Sequence, residues 1–301
     1  MSNVTISAKE VAELRARTSA GIADCKNALV EAEGDMNRAV EILRTKGIAK
    51  AEKRAGRVAS EGRIACLTSE DGHAGILLEL NSETDFVSRG DEFGALTDAL
   101  GAQLLNDANI DGVFPNAGEG TFPGAPAAGA PGKTVGELVT EASAKTGEKV
   151  VLRRYARFQT AGALGTYLHH NGKVATLVEV TGSDSGTART VARQIAEHVA
   201  AGVPSVALAV TRADVPAEAV DRERRIFEEQ AKQSGKPENI VQKMVEGRVN
   251  KFFAEVALVE QPWVRDEAKS IKQLLDDASR ELGGNVTLAV RRFVRYRMGE
   301  E

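Results

Sequence analysis

The stretch Glu79 to Arg89, ELNSETDFVSR, sets a carboxylate, Asp85, beside a bulky aromatic, Phe86, just after an apolar strand-like run. A carboxylate serves as acid, base or nucleophile when a second group shares or relays its proton. Beside an exposed aromatic, the same carboxylate can belong to a tip that wedges into a partner, or it can simply close a strand. All three readings are open at this point.

Partners for catalysis are scarce. The four histidines are His73, His169, His170 and His198. The first three sit at or beside expected hairpin turns and the last on an expected helix; none has a nucleophile in a recognisable motif or helical metal-ligand spacing. The two cysteines, Cys25 and Cys66, are far apart, which points away from a disulfide framework or a zinc site and fits a reducing, cytoplasmic setting. Gly132-Lys133-Thr134 closes a Gly-rich segment, but Ala127 stands where a Walker loop needs its first glycine, and no dinucleotide fingerprint follows a strand. The expectation is a protein that is not an enzyme, with no cofactor and no metal.

Composition bounds the partners. The chain has 301 residues, 42% of them apolar, enough for two or three compact units. With 39 basic against 43 acidic side chains, the formal charge of -4 argues against nucleic-acid binding through bulk charge. No apolar run reaches the roughly 18 to 20 residues that span a membrane, and the start, MSNVTISAKEV, lacks the form of a signal peptide.

These residues must be held by elements that the pattern predicts. Ser7 with Glu10 makes a capping box, and Val11 and Leu14 recur on one face of a first helix. A second helix is expected over Ile22 to Ala32, and a third opens at Gly34-Asp35 and stops at Gly47. Six basic side chains between Arg44 and Arg57 read as a solvated linker helix, with a patch for an acidic partner as the other reading. Arg63 to Thr68 and Ala74 to Leu80 read as a hairpin about the Glu70 to Gly72 turn. Asp85 and Phe86 fall in the following loop, and Asp91 caps a helix bearing Phe93, Leu96, Leu100 and Leu104. Residues 106–132 carry four of the eight prolines with repeated Gly and Ala, and read as an extended or disordered insertion. Thr134 and Glu137 box another helix, and Val150 to Phe158 reads as a strand.

The same unit then recurs. Gly75 to Leu80 (GILLEL) matches Ala175 to Val180 (ATLVEV) at an offset of 100, within a second hairpin about Asn171-Gly172. Lys133 to Phe158 likewise matches Lys269 to Tyr296, with two extra residues in the second strand. Two copies of hairpin, helix and returning strand define an antiparallel α+β protein. The second copy contains a helical hairpin: Pro216 starts one helix, Ser234 to Pro237 turns it, and a second runs from Glu238 to about Val256. Its stripe Val241, Val245, Val249, Phe252 and Val256 is covered by self-packing, or by self-association as a homodimer or a partner. Where the first copy has Thr84, Asp85 and Phe86, the second reads TGSDSGTAR, with no aromatic, so the fold does not require the tip.

LRARTSAGIADCKNAL (Leu14 to Leu29) and ELNSETDFVSR resemble translation elongation factor Ts, the guanine nucleotide exchange factor of elongation factor Tu. The resemblance extends over nearly the whole chain, through QSGKPENIVQKMVEGRVNKFFAEVALVEQPWV (Gln233 to Val264), with residues 106–132 outside it. It implies an N-terminal three-helix, UBA-like module (1–57) followed by two repeated antiparallel sheet-plus-helix subdomains (58–160 and 161–301), the second with the helical hairpin inserted at 214–256. It further implies that the tip enters the G domain of elongation factor Tu and disturbs magnesium and phosphate binding, so that GDP leaves. Carried over, Phe86 is the wedge, Asp85 its polar neighbour, Thr84 and Val87 its loop. Arg15, Ile22 and Ala23 contact the G domain, and His169 grips the partner's last domain. A binding or assembly module without exchange activity is the rival reading; a hydrolase built on Asp85 and a histidine lacks an oriented acid-base pair.

Overall fold

The computed structural model describes residues 6–18, 20–233, 237–283 and 285–300. Ser7 and Glu10 start the first helix: the Ser7 hydroxyl and N–H each donate to Glu10 Oε2 at 2.7 Å, and the Glu10 N–H returns to Ser7 Oγ at 3.2 Å. Helices α1 (Ala8–Thr18), α2 (Ile22–Glu31) and α3 (Met36–Arg54) then bury Leu14, Cys25, Ala28, Leu29 and Ala39 against one another.

The third helix does not stop at Gly47. Gly47 instead faces Ala144 of α6 (Val135–Thr146), and α3 continues for two more turns to Arg54. Nor is the basic run only solvated. Arg44 pairs with Glu137, and Arg54 Nη1 donates to the Ser143 carbonyl at 3.1 Å.

Strands β1 (Glu61–Thr68) and β2 (Ala74–Ser82) form the expected hairpin. The Ser69 N–H donates to Ala74 O at 2.8 Å, the Gly72 N–H donates to Ser69 O at 2.9 Å, and Gly72 takes φ 76°. One hundred residues on, β5 (Ala163–Leu168) and β6 (Val174–Thr181) repeat the turn: His169 N–H to Val174 O and Gly172 N–H to His169 O, both 2.8 Å, with Gly172 at φ 69°. A left-handed residue at that place in so tight a turn selects glycine in both copies.

Between the hairpins lie α4 (Asp85–Ser88), α5 (Asp91–Asn106), β3 (Gly112–Phe114), α6 and β4 (Val151–Gln159). Gly90, not Asp91, occupies the cap position of α5; Asp91 lies in the first turn, where a negative charge suits the helix dipole. Residues 106–132 are ordered, which corrects the reading of a disordered insertion. Phe122 is fully buried, its N–H donates to the Tyr155 hydroxyl at 3.3 Å, and Phe114 stacks on the Tyr155 ring at 4.6 Å. Those aromatic contacts offset the ordering entropy that the Pro/Gly composition alone could not.

After β6 come α7 (Gly186–Ala201), α8 (Ala217–Lys232), α9 (Glu238–Val256), β7 (Pro262–Trp263), β8 (Asp266–Ser270), α10 (Ile271–Leu282) and β9 (Ala289–Arg297). Strand orders are β1-β2-β4-β3, β5-β6-β9 and β7-β8. In the second sheet β5 and β9 both pair antiparallel with β6, and the register shifts between Glu179 and Val180, where Arg291 is an extra residue on β9. The duplication extends to side chains. Thr134 and Glu137 cap α6 as Ser270 and Gln273 cap α10, and Lys133 pairs with a carboxylate on α6 as Lys269 does on α10.

Val241, Val245 and Val249 of α9 are buried with Ala231 and the partly buried Phe227 of α8, while Val256 and Phe252 pack with Ala209, Val215 and Ala257, so the stripe is covered partly by its own hairpin and partly by residues flanking it. Of the expected turn between these helices, residues 234–236 lie outside the described residues. By contacts the chain forms two compact units, one of Met1–Ala65, Leu78–Tyr155 and Met298–Glu301, the other of Cys66–Leu77 and Ala156–Arg297.

Candidate functional site

Asp85 and Phe86 lie on a single helical turn, not in an irregular loop. Eight residues, 83–90, separate β2 from α5, whereas four, 182–185, separate β6 from α7. The added length is α4. One isolated turn does not hold itself together, because nucleation fixes several dihedrals for very few hydrogen bonds. It must be braced from outside.

Four contacts brace it. Thr84 takes the extended N-cap conformation (φ -124°, ψ 158°), and its Oγ1 accepts the Val87 N–H at 3.4 Å. The Ser82 hydroxyl donates to the Thr84 carbonyl at 3.0 Å. Glu148 takes both donors of Thr84, the hydroxyl at 2.6 Å and the backbone N–H at 3.0 Å. At the far end Arg63 Nε donates to the Ser88 carbonyl at 2.9 Å, with its guanidinium against the bare backbone of Gly94.

The braced turn projects Phe86 into solvent, 87% exposed, while Val87 is half-buried and Ser88 buried. Asp85 pairs with Arg89 at 3.1 Å, one turn on, and not with a histidine. That engagement removes the acid-base constellation a hydrolase would need.

The other expected residues occupy separate places. Arg15 is exposed in the last turn of α1, Ile22 is 59% exposed at the start of α2, and Ala23 is not among the buried residues of that helix. All three stand on the helical module. In the other unit, His169 opens the β5–β6 turn; its Nδ1 lies 3.0 Å from the Tyr167 hydroxyl and its ring packs on His170 at 4.2 Å.

The remaining titratable candidates are structural. His198 is fully buried, its Nδ1 accepts the Val264 N–H at 3.2 Å, and its Nε2 is therefore the donor to Gln261 Oε1 at 2.9 Å. Burial holds its pKa below the ordinary histidine value, against the raising influence of Gln261. Burial likewise pushes the Cys66 thiol up to about 11, the reverse of what a nucleophile needs. Among the described residues no group of three His, Cys, Asp or Glu is placed to hold a metal, and no helix is long and apolar enough to cross a membrane.

Residue patterns pointed to the tip but not to Glu148 or Arg63, which reach it from 64 and 25 residues away. One signal was available. In the alignment of the two copies Gly284 stands opposite Glu148, so the copy without a tip also lacks the carboxylate.

The fold and this site together define a duplicated α+β protein that presents one rigidly mounted aromatic to its surroundings. A family model described as Elongation factor TS matches residues 83–300, a range that runs through 106–132, which the sequence reading had set outside the resemblance. Elongation factor Ts of Trichlorobacter lovleyi is 40% identical over 305 aligned residues, covering 99% of this chain and 94% of its own. That of Clostridium perfringens is 41% identical over 297 residues, covering 98% and 93%, and that of Aquifex aeolicus 42% over 299, covering 98% and 99%. The chain belongs to the elongation factor Ts family, and its role is in translation elongation.

Proposed function

We propose that this chain is a cytoplasmic guanine nucleotide exchange factor that binds elongation factor Tu and promotes release of GDP, with no covalent chemistry of its own. The observation that carries this reading is the exposure of Phe86 on a turn braced by Ser82, Glu148 and Arg63. An apolar side chain of that size, kept in water by a braced scaffold, is suited to enter a pocket supplied by a partner.

The energetics set the division of labour. An exchange factor speeds release only if it binds the nucleotide-free partner better than the loaded one, and by linkage it weakens nucleotide as much as nucleotide weakens it. Burying one Phe contributes about 1.5 to 3 kcal/mol, so Phe86 alone does not empty a tight nucleotide site. A broad grip must supply the rest. We assign it to Arg15, Ile22 and Ala23 on the helical module, which we read as UBA-like, and to His169 on the second hairpin. Thr84, Asp85 and Val87 shape the wedge and direct that binding energy toward the magnesium and phosphate contacts.

The test is release of a fluorescent GDP from purified elongation factor Tu. The full chain is expected to raise the release rate in a saturable manner; binding with an unchanged rate would leave only an assembly module.

A further inference from the structure

Glu148 and Lys149 form the turn that leaves α6 after Gly147, and their side chains point to opposite tasks. Glu148 accepts the two donors of Thr84 at 2.6 and 3.0 Å, at the foot of the wedge. Lys149 Nζ donates to the carbonyls of Ala55 and Arg57 at 2.7 and 2.9 Å, just past the end of α3. Glu83 closes the arrangement from the other strand: its Oε1 accepts the Lys149 N–H at 2.6 Å, and Arg57 Nη1 reaches it at 3.2 Å. Each acid thus clasps the backbone that follows the other acid.

The frame of the fold does not need this clasp. In the second copy the residue aligned in sequence with Glu148 is glycine, Gly284, and the strand passes to α7 through four residues capped by Ser185. Hairpin, capped helix and returning strand are all present there without it. The carboxylate at 148 therefore goes with the added turn α4.

We infer that Glu148 is a positioning residue for the wedge: through Thr84 it fixes the axis of α4 and hence the direction in which Phe86 leaves the surface. The inference rests on the exchange reading for its functional consequence but not for its mechanical one. A carboxylate accepts from both donors of Thr84 at once, whereas an amide accepts from one and must turn an N–H toward the hydroxyl oxygen, which then loses Glu148 as the acceptor for its own proton.

Two measurements on the full chain test this separately. The first is amide hydrogen exchange of residues 84–90 in Glu148→Ala and Glu148→Gln. Exchange there is expected to quicken at least fivefold in the Ala variant and less in the Gln variant, with protection of β2 and α6 unchanged. Unchanged exchange of 84–90 overturns the positioning role, and so does loosening spread over the whole unit. The second is stimulated GDP release over a range of factor concentrations. Glu148→Ala is expected to lower the rate at saturation about tenfold while moving the half-saturating concentration less than twofold, and to add nothing in a Phe86→Ala background. An additive loss in that background overturns a role through the wedge. Should α4 loosen as expected while the wild-type chain leaves GDP release unchanged, the exchange reading fails and the clasp stands.

Discussion

Glu79 on β2 and Arg154 on β4 close an ion pair at 2.6 Å in which the carboxylate is fully buried. One hundred residues on, Glu179 meets Arg292 at 2.5 Å in the same relation, again with no exposed carboxylate surface. The two copies therefore share a buried charge as well as a backbone. Asn81 Nδ2 adds a donor to Glu79 Oε1 at 3.2 Å. Removing one partner strands the other charge without water, which costs about 3 to 5 kcal/mol, whereas replacing both by well-packed apolar groups costs far less. Arg154→Met is expected to lower the urea midpoint strongly, and Glu79→Met/Arg154→Met to recover much of the loss. A double variant as unstable as the single one would count against the pair as the cause.

Phe86→Ala should leave the unfolding free energy within about 0.5 kcal/mol of wild type, since the ring is 87% exposed and surface changes of this kind are near neutral. Stimulated GDP release should fall by about 10- to 200-fold, the factor carried by 1.5 to 3 kcal/mol of lost burial in the transition state for release. Circular dichroism melts and the release assay, run on the same preparation, read both.

Phe122→Ala examines whether the Pro/Gly-rich segment is part of the core. The ring is fully buried and tilted against Tyr155 at 5.4 Å. Truncation should cost about 3 to 5 kcal/mol by the usual cavity penalty. A variant with wild-type stability would show that the segment contributes nothing.

His198 gives stability a pH dependence of definite sign. Its native pKa lies below the ordinary 6.5, because burial opposes the charge. In the window between those two values the unfolded chain binds more protons than the folded one, so stability is fully present above pH 6.5 and declines as pH falls toward the native value. Urea titrations at pH 7.5, 6.5 and 5.5 should show the decline in the wild type, and His198→Asn should be less stable but flatter over the same steps. An equally steep variant would assign the slope to other groups.

The duplicated frame was legible because its constraints are local or strictly periodic. Gly72 and Gly172 mark a turn that only a left-handed residue closes, and the three-residue spacing of Thr134/Glu137 and Ser270/Gln273 marks the helix starts. Misreadings arose where a distant residue decides. Gly47 looks like a helix stop until Ala144 of α6 packs against it, and residues 106–132 look unfoldable until Tyr155 supplies an aromatic floor. The tip was legible as residues but not as a device. That Thr84 caps a helical turn, and that Glu148 and Arg63 clamp it, are contacts that no local spacing encodes.

Phe86 stands between the members of a charged collar, Asp85 and, one turn on, Arg89. A bare aromatic on a protein surface invites casual sticking, to other copies as well as to unrelated proteins. Here any surface that takes the ring must also accommodate an acid and a base on either side of it, or strip both of water. A greasy patch lacking matching charges is a poor host. The collar thus rations adhesion: the ring is open to every passer-by in geometry, and in energy only to a surface shaped for all three side chains.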